Sequence, residues 1–87
     1  MRERSVWVPI GEFTRGIGMG DRIRFIVERS SADHDRHRIA CDEGNGPSEV
    51  CTFTEPLTQP TRWRPAWDGD SMSPGIETEA RKIAHNT

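Results

Sequence analysis

The feature that most constrains this chain is a dense turn with an alternating segment on either side. Residues 36–41 and residues 49–54 alternate polar with apolar or small side chains, which is typical of half-buried β-strands. Between them, residues 42–48 read Asp-Glu-Gly-Asn-Gly-Pro-Ser, and these residue types favour turns. We therefore predict a β-hairpin, and with it an antiparallel sheet.

The register of this hairpin follows if its loop is symmetric about Gly46. Cys41 then lies opposite Cys51 and Ile39 lies opposite Phe53, with all four side chains on one face. Two cysteines are too few for a secreted disulfide framework, so free thiols are expected. A cross-strand disulfide between Cys41 and Cys51 is the alternative.

Other segments extend the β-rich pattern. Residues 22–27 alternate most regularly and predict the best-defined strand, preceded by a turn within the glycine-rich residues 16–21. Residues 6–10 predict an edge strand or extended arm, because Pro9 cannot donate to a sheet ladder. Residues 62–64 predict a further short strand.

The C-terminal part of the chain predicts one helix. Residues 55–75 form an extended, proline-rich segment that leads into a helix over about 74–84. Ser73 is a suitable N-cap and Pro74 a suitable first helical residue, and the apolar residues that follow have helical spacing. The expected fold is therefore α+β: a small, twisted, mainly antiparallel sheet or partial barrel of three to five strands with a short C-terminal helix.

The length sets the size of the core. With 87 residues, of which 32% are hydrophobic, residues 1–87 are expected to form a single domain with a modest core. Residues 1–5 and 85–87 are expected to be flexible. The apolar stretch 6–10 is too short for a signal peptide or a membrane span, so we expect a cytoplasmic protein without membrane association.

Arginines occur in pairs at alternate positions. The period of two places each pair on one strand face, so the pairs could form a stripe that grips a nucleic-acid backbone. The net charge of −2 argues against such a role, and neighbouring acidic residues could neutralise the stripe. The stripe residues are Arg22, Arg24, Arg36, Arg38, Arg62 and Arg64.

Residues 69–74, Gly-Asp-Ser-Met-Ser-Pro, resemble the nucleophile motif of the LexA-type and signal-peptidase-type serine proteases. The resemblance implies Ser71 as the nucleophile and a lysine as the general base, for which Lys82 is the sole candidate. In that family the base lies on a later strand, whereas Lys82 lies in the predicted helix. A turn leading into a helix cap explains the same residues, and we expect no enzymatic activity.

Four potential zinc ligands lie close in sequence: His34, His37, Cys41 and Cys51. Two thiolates and two imidazoles suit a tetrahedral site, which would stabilise a small core. The spacing differs from that of standard zinc fingers and ribbons. The alternative is that the cysteines are buried small hydrophobes and the histidines are solvated, and no cofactor is expected.

Trp63 and Trp67 lie in the proline-rich segment, where they either complete the core or anchor a partner. We predict a partner-binding surface of Trp63, Arg64 and Trp67 together with the acidic loop residues Asp42 and Glu43. The expected function is that of a small non-enzymatic accessory or inhibitory protein, for example of a bacterial or phage system, that occupies a surface on a larger protein. A nucleic-acid-binding barrel is the alternative, a zinc-stabilised module is a third hypothesis, and a homodimer through an exposed strand edge is also considered.

Overall fold

A computed structural model describes residues 6–44 and 46–87 of the chain. It contains one antiparallel five-stranded sheet, with the strands in sequence order, and one C-terminal helix. The elements are β1 (Trp7–Gly18), β2 (Asp21–Ser30), β3 (Arg36–Asp42), β4 (Pro47–Thr54), β5 (Arg62–Trp63) and α1 (Ser73–Asn86). The predicted α+β fold is confirmed, as an open sheet with β1 and β5 at its edges. The prediction for residues 1–5 lies outside the described residues.

β1 is longer than the sequence predicts. It runs for 12 residues and includes Gly11 and Gly16, so the predicted turn over residues 16–21 contracts to Met19 and Gly20 at the tip of the hairpin. The pairing with β2 shifts between Pro9 and Gly11 and again near the turn. Such irregularities let an edge strand accommodate proline and glycine.

The β3–β4 hairpin exists as predicted, but the predicted register was wrong. Ile39 pairs with Cys51, and Cys41 pairs with Ser48. The cause is the turn: Asp42 already pairs with Pro47, so the turn is not centred on Gly46. Next along the hairpin, Ala40 pairs with Glu49 and Ile39 with Cys51, so Val50 is an extra, bulged residue on β4. Because of this bulge the consecutive side chains of Val50 and Cys51 are both buried.

Helix α1 covers one face of the sheet, which we call the inner face. Ile76, Ala80 and Ala84 lie on one side of the helix and are buried in the core. Opposite them, β2 contributes Phe25 and Val27, both fully buried. The predicted helix is therefore confirmed, and it continues to Asn86 rather than ending near residue 84.

The helix begins one residue earlier than predicted. Met72 is the N-cap, and Ser73 and Pro74 occupy the first two helical positions. Ser73 is buried and its hydroxyl donates to the carbonyl oxygen of Trp67, while the Asp70 carboxylate accepts the Met72 N–H at 2.8 Å. Within the described residues, no helix is long and apolar enough to cross a membrane.

Candidate functional site

The sheet face opposite the helix, which we call the outer face, carries most of the charged side chains of the strands. The register aligns them in rows across the strands: Thr14 beside Arg24, Glu28 beside Arg38, and Thr52 beside Arg62. Partners in an antiparallel pair project to the same side, so these rows belong to one surface. The outer face comprises Trp7, Glu12, Thr14, Arg22, Arg24, Ile26, Glu28, Arg36, Arg38, Ala40, Asp42, Glu49, Thr52, Thr54, Arg62 and Arg64.

The outer face thus includes all six arginines of the predicted stripe. Those on β2 and β3 lie on adjacent strands, and Arg62 lies one strand beyond, across β4. Four carboxylates lie among them. This surface therefore has mixed charge.

Three arginines of the outer face pair with these carboxylates. Arg24 Nε lies 2.7 Å from Glu12 Oε2, and Arg24 Nη1 lies 3.7 Å from Asp42 Oδ2. Arg38 Nε donates to Glu28 Oε1 at 2.6 Å. The Arg24–Glu12 pair is half exposed and contributes at most about 1 kcal/mol, so its main effect is to hold the side chains in place.

The third paired arginine, Arg64, lies at the other border of the outer face. Its Nη2 atom lies 3.1 Å from Glu49 Oε2. In contrast, Arg22, Arg36 and Arg62 form no salt bridge with any residue that the structure describes. The charge of the outer face is therefore neutralised in places and free in others.

Trp7 and Arg38 contact each other on the outer face. The Arg38 guanidinium carbon lies 4.9 Å from the centre of the Trp7 ring, within the range of a cation–π interaction. The same guanidinium pairs with Glu28 and is thereby held in one orientation. The sequence did not predict Trp7 as a site residue. Its alternation with Val6 and Val8 indicates a strand, but no pattern shows which strand lies beside β1.

Ala40 shows how closely these side chains pack. It is only 2% exposed, although it lies on the outer face and does not belong to the hydrophobic core cluster. Its strand neighbours are Ile26 and Glu49. The longer side chains around Ala40 therefore shield it from water, and the middle of the outer face is a packed layer.

The predicted partner-binding residues divide between the two faces. Trp63 and Trp67 are partly buried against the core, and Trp67 makes an edge-to-face contact with Phe25 at 5.8 Å between ring centres. Arg64 and Asp42 lie on the outer face, where both form ion pairs. Glu43 is exposed in the β3–β4 turn. The five residues do not form one surface.

The four potential zinc ligands are not gathered around one point. In the described part of the chain, no group of three or more His, Cys, Asp or Glu side chains is placed to hold a metal ion. His34 is exposed in the β2–β3 connection, whereas His37 is buried. Cys41 and Cys51 are free, buried thiols on different rows of the hairpin.

His37 instead links the sheet to the helix. Its Nε2 atom accepts a hydrogen bond from Arg29 Nε at 3.1 Å, so the proton of the neutral ring is on Nδ1, which donates to the Asp35 carbonyl oxygen at 2.9 Å. Arg29 also donates to the Ala84 carbonyl oxygen near the end of α1. Burial, more than the nearby Arg29 charge, lowers the pKa of His37 from 6.5.

Both cysteines are in surroundings that disfavour the thiolate. Burial raises the pKa of Cys51 to about 12 and also raises the pKa of Cys41, where Glu43 and Asp42 add to the effect. The thiolate is the reactive and metal-binding form. Both side chains therefore act as small core residues.

The segment that resembles a protease motif forms the turn before α1. Ser71 is exposed, while Lys82 lies nine residues into the helix and faces Glu79 at 4.0 Å. At 1.5 Å per residue, Lys82 is about 13 Å along the helix from its first residue. The structure does not bring Lys82 to Ser71.

No family model, curated protein or solved structure matches this chain. The function of this chain is therefore inferred from the geometry of the outer face.

Proposed function

We propose that this chain is a non-enzymatic protein-binding module that occupies a surface on a larger protein, as accessory and inhibitory proteins of bacterial or phage systems do. The supporting observation is the asymmetry of the sheet. Its inner face is covered by α1, whereas its outer face presents an ordered layer of arginines, carboxylates and Trp7.

The chemistry of this layer suits a protein partner. Arginine and tryptophan are the residues most enriched at interface hot spots, and Arg38 stacked on Trp7 offers both in one place. The pair with Glu28 holds Arg38 before binding, which lowers the entropy that binding costs. Alternating charges of both signs favour a partner with a complementary pattern over a uniformly charged polymer.

Nucleic-acid binding is the second candidate. The observation that favours it is the placement of six arginines on one face, three of which have no carboxylate partner in the described residues. The two candidates differ in their response to salt. Affinity for a phosphate backbone falls steeply with ionic strength because counterions are released, whereas a packed protein interface is less sensitive.

The test is affinity purification from cells of the source organism, with half of each lysate treated with nuclease. Wild-type protein is compared with Trp7→Ala and Arg38→Gln, and with Lys82→Gln on the exposed side of the helix as the control. Circular dichroism confirms that each variant is folded. We expect one stoichiometric protein partner that survives nuclease and is lost from both outer-face variants but not from the control.

Two results would contradict the proposal. One is recovery of nucleic acid together with loss of all protein partners after nuclease treatment, which would favour the second candidate. The other is an equal loss of the partner in the Lys82→Gln control, which would place the contact outside the outer face. Sedimentation of the purified protein separately tests whether a second copy pairs along the edge of β1, a proposal that rests on its position at the edge of the sheet.

A further inference from the structure

A cleft lies on the outer face where β3, β4 and β5 meet the connection between β4 and β5. Its volume is about 150 Å³. Two arginines, three consecutive residues of β4 and two residues of the connection line it: Arg36, Arg62, Thr52, Phe53, Thr54, Gln59 and Pro60. Among residues 6–44 and 46–87, no Asp or Glu lines this cleft.

The sheet places the two arginines on opposite sides of β4. Arg36 on β3 pairs with Thr54, and Arg62 on β5 pairs with Thr52. Two strand separations and a two-residue offset put the arginine Cα atoms about 12 Å apart. Extended arginine side chains on either side of a gap of this size can reach one ligand between them, above the two threonines.

Neither arginine of the cleft is paired with a carboxylate of the described residues. Arg24, Arg38 and Arg64 pair with carboxylates within 4.0 Å, but neither Arg36 nor Arg62 has such a partner among residues 6–44 and 46–87. Two like charges facing one cleft repel each other, and a bound dianion removes this repulsion. The cleft therefore attracts an anion of charge about −2.

The wall of the cleft is held in place before a ligand binds. The Thr54 hydroxyl accepts the backbone N–H groups of Thr58 at 3.1 Å and Gln59 at 3.3 Å, which fixes the connection against the sheet. The Thr52 hydroxyl and the Gln59 amide are neutral donors within the same lining. Donors fixed in advance lower the cost of ordering the site on binding.

We propose that this cleft binds a phosphate group. The guanidinium fork matches phosphate oxygens, with two donors from each arginine, and two arginines match the charge of a phosphomonoester dianion. A free phosphomonoester and the phosphodiester of a nucleic-acid chain both present such oxygens, but only the monoester carries two charges. This inference goes beyond the proposed function, because a phosphate site in the cleft does not require a protein partner. Phosphate binding can therefore be measured on the isolated protein.

The test is an NMR titration of the 15N-labelled protein with inorganic phosphate, against sodium chloride at matched ionic strength. The side-chain Nε–Hε signals of Arg36 and Arg62 and the amide of Gln59 are followed. We expect saturable shifts at these three positions with phosphate and none with chloride. Arg36→Gln and Arg62→Gln should each weaken binding about tenfold or more, since each removes a hydrogen bond to a charged ligand.

Arg22→Gln is the matched control, since Arg22 also lies on the outer face without a carboxylate partner in the described residues. We expect it to change phosphate affinity less than twofold. Glycerol phosphate and a short single-stranded DNA then distinguish the two sources, and we expect the monoester to bind more tightly because it carries two charges on one group. No saturable shift with phosphate, or equal weakening by Arg22→Gln, would overturn the proposal. Retention of the amide spectrum verifies the fold of each variant.

Discussion

Gly11 of β1 lies against Ile83 of α1, and replacing it with alanine tests the packing of α1 on β1. A Cβ atom at Gly11 would lie 2.6 Å from Cγ2 of Ile83. Side chains do not approach this closely, so Ile83 or the helix end must move. The backbone at Gly11 is outside the left-handed region, and crowding is therefore the main cost of the substitution.

The size of the effect follows from two opposing terms. Overpacking of a well-packed contact costs about 1–3 kcal/mol. Replacement of glycine by alanine recovers about 0.4–1 kcal/mol by restricting the unfolded chain. We therefore expect Gly11→Ala to lower the free energy of unfolding by roughly 1–2 kcal/mol, equivalent to a fall in Tm of about 5–15 °C in a domain of this size.

Urea denaturation measures the change in the free energy of unfolding, and two further variants test whether crowding at Ile83 causes it. Gly16→Ala is the matched control on the same strand, since its Cβ would meet only the Asp21 carbonyl oxygen, at 3.9 Å. We expect this control to be neutral or slightly stabilising. Ile83→Ala removes Cγ2, so the double variant with Gly11→Ala should be more stable than the sum of the single effects predicts. Equal stability of Gly11→Ala and Gly16→Ala, or strict additivity, would refute the packing argument.

Three further predictions concern buried or partly buried polar groups. Because the pKa of His37 is lowered in the native protein, the unfolded chain binds more protons than the native chain near pH 6.5 and below. The free energy of unfolding should therefore fall as the pH decreases from 7.5 to 5.5. Cys41 and Cys51 should react slowly with a thiol reagent at pH 8 in the native protein, and two thiols should react at once in denaturant. Arg81→Met should cost about 1–3 kcal/mol, because it removes hydrogen bonds to the Thr54 carbonyl oxygen, the Glu55 carboxylate and the Thr61 hydroxyl.

Each of these predictions has a control. The pH dependence should persist in His34→Gln, whose ring is exposed, and weaken in His37→Gln; the same slope in both would exclude His37 as its source. Rapid labelling of the native protein would show that Cys51 is accessible. Lys82→Met, next to Arg81 but exposed, should change stability by less than about 0.5 kcal/mol, and an equal cost in both variants would contradict the role given to the Arg81 hydrogen bonds.

Local patterns predicted those parts of the fold that depend on neighbouring residues. The helical spacing of Ile76, Ala80 and Ala84 predicted a buried stripe, and the turn residues predicted the β3–β4 hairpin. Most residue types in 42–48 favour turns, so they do not show that Asp42 pairs with Pro47, and no residue type marks the bulge at Val50. The predicted β1 was too short because glycine occurs both in turns and in edge strands. Gly16 was assigned to the turn, whereas it belongs to the strand.

The sequence predicted some residues of the candidate site but not the contacts between them. Alternation of arginines predicted their common face, but the carboxylate partner of Arg38 comes from β2, and the Trp7 ring beside the same arginine comes from β1. These contacts depend on strand order, which sequence spacing does not contain. The sequence left open whether Trp63 and Trp67 complete the core or anchor a partner. The contact with Phe25 shows that Trp67 packs against the core.

The most direct test of the central proposal is photo-crosslinking in cells of the source organism. A benzophenone amino acid is placed at Thr14, exposed on the outer face, or at Thr78, exposed on α1, so that both sites replace an exposed threonine on different faces of the molecule. We predict a discrete adduct with one larger protein from position 14, resistant to nuclease, and none from position 78. Equal adducts from both positions, an adduct only of twice the mass of this chain, or no protein adduct at position 14 would contradict the proposal that the outer face binds a larger protein.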